Sequence, residues 1–123
     1  MSKKILIADD EQNIVISIDF LLRREGFTVL VANDGEEALA KVRGERPDLV
    51  LLDVMMPKMN GFDVCQAVRA DPELSGTRIL MLTAKGRDTE VSKGLGLGAD
   101  GYMTKPFSTK ELLAEVRKLL ETG

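Results

Sequence analysis

The chain has 123 residues, with 17 Lys and Arg against 20 Asp and Glu, a net charge of −3, one cysteine and no histidine. A domain of this size buries roughly two thirds of its unfolded surface and folds without staples; the absence of a basic tract and of any apolar run near roughly 18 residues argues against direct nucleic-acid binding and against a membrane span. Cys65 alone forms no internal disulfide, which with the lack of a signal sequence points to a reducing cytoplasm, and the missing histidines exclude His-based triads, His zinc sites and a phosphohistidine donor within the chain.

The first predicted element is a strand, Lys4-Ile5-Leu6-Ile7-Ala8, which runs into Asp9-Asp10. Its apolar residues do not alternate with polar ones, the pattern of a strand covered on both faces. Ile14, Ile18, Leu21 and Leu22 then recur at helical spacing with Val15 beside them, until Gly26 offers a left-handed stop. Phe27 to Val31 reads as a second strand, Asn33-Asp34-Gly35 as a turn or cap, and Ala38, Leu39 and Val42 as one face of a shorter helix closed by Gly44. Leu49-Val50-Leu51-Leu52-Asp53 is the third strand, ending in a carboxylate and followed by the breaker-rich Val54 to Gly61.

Val64, Cys65 and Val68 form the inner face of a third helix that stops before Asp71-Pro72, because the residue before a proline resists helical geometry. Cys65 there is a small core residue. A turn at Leu74-Ser75-Gly76 leads into a fourth strand, Thr77 to Thr83, which leaves through Ala84-Lys85-Gly86. The next helix, around Asp88 to Leu97, carries Val91 and Leu95 inward but is broken by Gly94, Gly96 and Gly98; each costs about 1 kcal/mol relative to Ala in a helix interior, so this helix is expected to be soft. Ala99 to Thr104 gives a fifth strand closed by Lys105-Pro106. In the last helix, Ser108 and Glu111 form a capping box, Phe107 staples onto Leu112, and Leu113, Val116, Leu119 and Leu120 supply the buried stripe.

Five strand-helix units in succession predict a single α/β domain over residues 1–123, a doubly wound parallel sheet joined by right-handed crossovers. The flavodoxin-like strand order 2-1-3-4-5 places the switch point between the first and third strands, where ligands bind at the strand ends. Asp9, Asp10 and Asp53 become neighbours there. An Asp at a strand end is most often a simple cap, but three crowded carboxylates repel one another and stay ionised only when a cation joins them. Magnesium, a hard oxygen-seeking ion, suits this donor set; zinc would require the His or further Cys that the chain lacks. Lys105 brings an ammonium and Thr83 a hydroxyl from the ends of the fifth and fourth strands. Together these groups describe a receptor for a small dianion on Asp53, with phosphoryl the obvious candidate.

With Asp9-Asp10, Asp53 followed by Met56-Pro57 and Asn60-Gly61, Thr83-Ala84 and Lys105-Pro106 in this order at successive strand ends, the chain resembles the CheY-like receiver domain of a two-component response regulator over essentially its whole length. The resemblance implies that Asp53 accepts a phosphoryl group from a phosphohistidine of a sensor histidine kinase or phosphotransfer protein. It implies Mg2+ held directly by Asp10 and Asp53, with Asp9 assisting and Met55 lending its backbone carbonyl. Lys105 would hold one phosphoryl oxygen and Thr83 would swing in to another. Tyr102 matches the family's switch aromatic, although a lone tyrosine at this position fits a half-buried spacer equally well. The Lys105-Pro106 bond is expected to be cis. Met55 and Lys85 occupy the positions that shape water access to the acyl phosphate. The output surface would comprise the fourth helix, fifth strand and fifth helix, on a domain that catalyses its own phosphorylation and slow dephosphorylation without being an enzyme in the usual sense. The end at Gly123, just after the last helix, fits a stand-alone receiver or the receiver portion of a longer protein.

Two other functional classes share part of this pattern. A haloacid-dehalogenase-type phosphatase also uses a strand-end Asp nucleophile, but needs a second acid where this chain has Met55. A pseudo-receiver adaptor keeps the fold without phosphorylation, and typically lacks one of the acids or the lysine, all of which are present here. A dinucleotide loop is disfavoured, since Asp9-Asp10-Glu11 replaces the required glycines, and Gly94 to Gly98 has neither the spacing nor a preceding strand.

Overall fold

Five strands and five helices alternate along the chain: β1 (Lys4–Ala8), α1 (Gln12–Arg24), β2 (Thr28–Ala32), α2 (Gly35–Glu45), β3 (Leu49–Asp53), α3 (Gly61–Ala70), β4 (Arg78–Ala84), α4 (Asp88–Gly96), β5 (Gly101–Lys105) and α5 (Thr109–Glu121). The structure, a computed structural model, describes residues 3–84 and 88–121, and for Ala84 and residues 88–91 the backbone only. All strand pairs are parallel, in the order β2-β1-β3-β4-β5. That is the doubly wound arrangement expected from the alternation of elements.

The unbroken apolar runs follow from this architecture, because successive side chains of a strand enter two separate cores. Ile5, Ile7, Leu49 and Leu51 point to the face covered by α1 and α5, where Ile18, Leu22, Leu112, Val116 and Leu119 meet them. Leu6, Ala8, Val50 and Leu52 point to the opposite face, against Ala38 and Val42 of α2 and Val64, Cys65 and Val68 of α3. Cys65 is fully buried and its thiol donates weakly to the Leu97 carbonyl at 3.7 Å. Burial pushes that thiol's pKa up, as befits a packing residue.

Several local expectations change. The α2 helix runs through Gly44 and ends at Arg46, which takes the left-handed conformation (φ 48°) and donates its N–H to the Val42 carbonyl. The stretch before β4 holds a 3-10 turn over Pro72–Leu74, capped by the Asp71 side chain, with Leu74 buried. The β5 strand starts at Gly101 and includes Lys105. In the cap of α5, the Ser108 hydroxyl accepts the Glu111 N–H at 3.0 Å, while the Glu111 carboxylate bonds back to that hydroxyl instead of to the Ser108 backbone.

The largest correction falls on α4. Leu95 is not inward but 43 % exposed, and among the described side-chain positions of α4 the buried one is Gly94. A Cβ at Gly94 would lie 3.2 Å from Met81 Cγ, so this glycine permits the helix to lie close on the sheet. Lys93 arches over the Phe62 ring at 4.7 Å, a cation–π contact between α4 and α3. Gly98, at φ 105°, terminates the helix in the left-handed region, and a side chain there would strike Arg69. Two of the three glycines therefore have packing or termination roles in addition to softening the helix. The Val91 side chain and Lys85-Gly86 lie outside the described residues.

Candidate functional site

Register brings the predicted residues to one end of the sheet. Ala8 pairs with Leu52, so the residues that follow them, Asp9 and Asp53, leave adjacent strands side by side; Ala84 pairs with Lys105, and Thr83 with Thr104. Carboxylate oxygens of Asp9, Asp10 and Asp53 lie within 4.8 Å of one another. Asp9 is fully buried and Asp53 nearly so, whereas Asp10 faces solvent.

Lys105 is the cation that these acids share. Its Nζ lies 3.0 Å from Asp9 Oδ2, 3.0 Å from Glu11 Oε1 and 3.4 Å from Asp53 Oδ1. Burial acts most strongly on the lysine and lowers its pKa, but the bonds to Asp9 and Glu11 and the nearby carboxylate charges outweigh it, and the net shift is upward. Asp53 is displaced the other way from an ordinary carboxyl: burial first, and Asp9 second, raise its pKa to about 7, against the lowering effects of Lys105 and of the Met55 backbone hydrogen bond. One ammonium among four carboxylates leaves the site short of positive charge. Its donor set is all hard oxygen, and the residues present fit a small divalent cation.

The loop after β3 is fixed to the site by backbone contacts. The Gly61 N–H donates to the Val54 carbonyl at 2.9 Å, and a Cβ at Gly61 would fall 2.4 Å from the Asp53 carbonyl oxygen. Helix α3 thus begins in contact with the backbone of Asp53, its first turn closed by a capping box between Asn60 and Asp63. On the other side, Gly35 at the start of α2 abuts the Met59 carbonyl and donates its N–H to the Pro57 carbonyl at 3.3 Å. Lys58, in the left-handed region at φ 69°, lies 3.7 Å from Asp34.

The structure therefore brings together Asp9, Asp10, Asp53, Lys105 and the Met55 backbone. Thr83 sits on the adjoining strand, where it is buried and its hydroxyl donates to the Met103 carbonyl at 3.5 Å. Tyr102 is 47 % exposed on the outer strand, and the Lys105-Pro106 bond is cis. Sequence reasoning did not find the Glu11–Lys105 contact, the close approach of Gly35 to Met59 or the capping box between Asn60 and Asp63. Asn60 with Asp63 three residues on carried a legible cap signal; Glu11 carried none beyond its place after the acidic pair.

Residues 5–117 match the family described as the response regulator receiver domain. The chain belongs to that family. As a receiver it is 50 % identical over 120 residues to the alkaline phosphatase synthesis transcriptional regulatory protein PhoP of Bacillus subtilis, with 98 % of this chain and 49 % of that protein covered. It is 51 % identical over 120 residues to the DNA-binding response regulator MtrA of Mycolicibacterium smegmatis, covering 98 % of this chain and 51 % of MtrA. The receiver thus spans about half the length of these curated relatives. Among solved structures, the chemotaxis response regulator CheY4 of Vibrio cholerae superposes with a TM-score of 0.91 at 36 % identity, over 97 % of this chain and 99 % of that one. The receiver domain of Francisella response regulator 1452 gives 0.89 at 32 % identity, with 98 % of each chain covered. The domain is thus a two-component signalling module, and among the described residues no helix is long and apolar enough to cross a membrane.

Proposed function

We propose that these 123 residues form one receiver unit that takes a phosphoryl group onto Asp53 and changes its partner-binding surface in response. The observation that carries this reading is the cluster itself: three acids within 4.8 Å, two of them buried, with Lys105 bridging Asp9 and Asp53. In the proposed reaction an Asp53 oxygen attacks the phosphorus of a phosphohistidine on a sensor kinase or phosphotransfer protein, the new O–P bond forming as the P–N bond breaks. Such a transition state spreads negative charge over the equatorial oxygens. Lys105 donates to one of them. Mg2+, held by Asp10 and Asp53 with Asp9 and the Met55 carbonyl assisting, would supply the remaining positive charge and keep Asp53 ionised despite its raised pKa.

The Thr83 hydroxyl is the proposed donor to a second phosphoryl oxygen, exchanging its bond to the Met103 carbonyl for one to the new group. Tyr102, exposed at present, would turn into the space behind it. The exposed faces of α4, β5 and α5 then form the output surface, through which the domain acts on an effector or an output domain. The names of PhoP and MtrA speak of transcription and DNA binding for proteins about twice this length; for these residues the proposed partners are proteins. The test is incubation with acetyl phosphate and Mg2+, followed by intact-protein mass spectrometry. Addition of one phosphoryl group that chelator prevents is the expected result, and no addition under saturating donor would overturn the reading.

A further inference from the structure

The Lys105 ammonium has three N–H donors, and in this structure three carboxylates surround it: Asp9 and Glu11 at 3.0 Å each and Asp53 at 3.4 Å. Two of these contacts, to Asp9 and Glu11, are hydrogen bonds, and the approach to Asp53 is a longer ion pair; for the ammonium to turn onto a phosphoryl oxygen on Asp53, a contact it already holds has to loosen. The three differ in what release would cost. Asp9 is fully buried, with Oδ1 already taking the Glu11 N–H at 2.9 Å, and stripping Lys105 from Oδ2 would leave a buried charge without its cation. Asp53 carries the phosphoryl group itself. The Glu11 side chain is 58 % exposed and rehydrates on release.

A second observation concerns where Glu11 stands. It is the N-cap of α1, a position at which Ser, Thr, Asp or Asn normally accepts a backbone N–H, yet its side chain makes no cap hydrogen bond. The carboxylate reaches across to β5 instead. The Glu11 charge would also repel an arriving dianion, but its bond to Lys105 is specific and directional.

We infer that Glu11 is a positioning residue for Lys105: its carboxylate tethers the ammonium in the unphosphorylated domain, and its release is the step that hands Lys105 to the phosphoryl group. This rests on the phosphoryl reading above and adds to it the residue that sets how readily the site closes on the dianion. Glu11→Gln removes the charge without removing a helix cap, so the fold is expected to be retained.

Two measurements test the tether. Binding of beryllofluoride, a phosphoryl mimic, is followed by amide shifts in excess Mg2+; the half-saturation concentration should fall about two- to fivefold in Glu11→Gln, the range spanned by an exposed ion pair. In chelator, acylation of Lys105 by an amine-reactive reagent, quantified by peptide mass spectrometry against the other lysines, should speed up in the same variant. Tighter binding with unchanged Lys105 reactivity would show that Glu11 acts only through its field, and overturns the tether. Unchanged or weaker binding overturns it as well. Failure of the wild-type domain to bind beryllofluoride would instead overturn the phosphoryl reading on which it rests.

Discussion

Removing the charge at Asp53 should make the metal-free domain more stable, an effect opposite in sign to that of most buried substitutions. The rise of the Asp53 pKa from 3.8 to about 7 corresponds to about 4 kcal/mol of destabilisation when the carboxylate is ionised in the folded state. Asp53→Asn retains an acceptor for the Met55 N–H but gives up the ion pair with Lys105, so about half of that, ~2 kcal/mol, should be recovered. For a domain of 123 residues this is about 6–10 °C in melting temperature. The assay is thermal denaturation in chelator between pH 4 and pH 8. The folded-state pKa lies above the unfolded one, so the native domain binds the extra proton between about 4 and 7 and loses stability as pH rises through that window. The gap between variant and wild type should therefore be full above about pH 7 and close towards pH 4. A variant equal to or less stable than wild type at pH 8, or a gap that ignores pH, would refute the account of a charge-crowded site.

Asp10→Ala should weaken Mg2+ binding measured by titration calorimetry and raise the metal-free melting temperature, though by less than Asp53→Asn because Asp10 faces solvent; a lowered melting temperature contradicts this. Gly44→Ala, in helix α2 with open space around it, should stabilise by about 0.5–1 kcal/mol, whereas Gly35→Ala, whose Cβ would meet the Met59 carbonyl at 1.9 Å, should destabilise and slow labelling of Asp53; equal effects in denaturant melts would show that the backbone contact is unimportant. Hydrogen exchange with beryllofluoride and Mg2+ should change most across residues 84–104, and a response confined to the first three strand-helix units would contradict the placement of the switch.

The fold was legible because buried parallel strands leave uninterrupted apolar runs, as in Leu49 to Leu52, and because carboxylates, Thr83 and Lys105 end those runs in a fixed order. Strand order alone then juxtaposes Asp9 and Asp53. What escaped the sequence depends on distances that periodicity does not encode. Leu95 and Gly94 are adjacent on α4, and a rule that sends leucine inward fails when the helix approaches the sheet closely enough to require the glycine there. Glu11 looks like a solvated residue after an acidic pair, and only the path of β5 brings Lys105 to within 3.0 Å of it. Gly35 reads as part of a turn or cap and Gly61 as the end of a breaker-rich loop, while their roles come from the backbone of another segment pressing against them.

The central claim, that Asp53 is the phosphoacceptor, is tested most directly by locating the bond. After treatment with acetyl phosphate and Mg2+, borohydride reduction of the domain converts an aspartyl phosphate to homoserine, which peptide mass spectrometry assigns to a position. The account predicts homoserine at residue 53 and nowhere else, and none in Asp53→Asn. Homoserine at Asp9 or Asp10, or phosphoryl label that persists undiminished in Asp53→Asn, would contradict it.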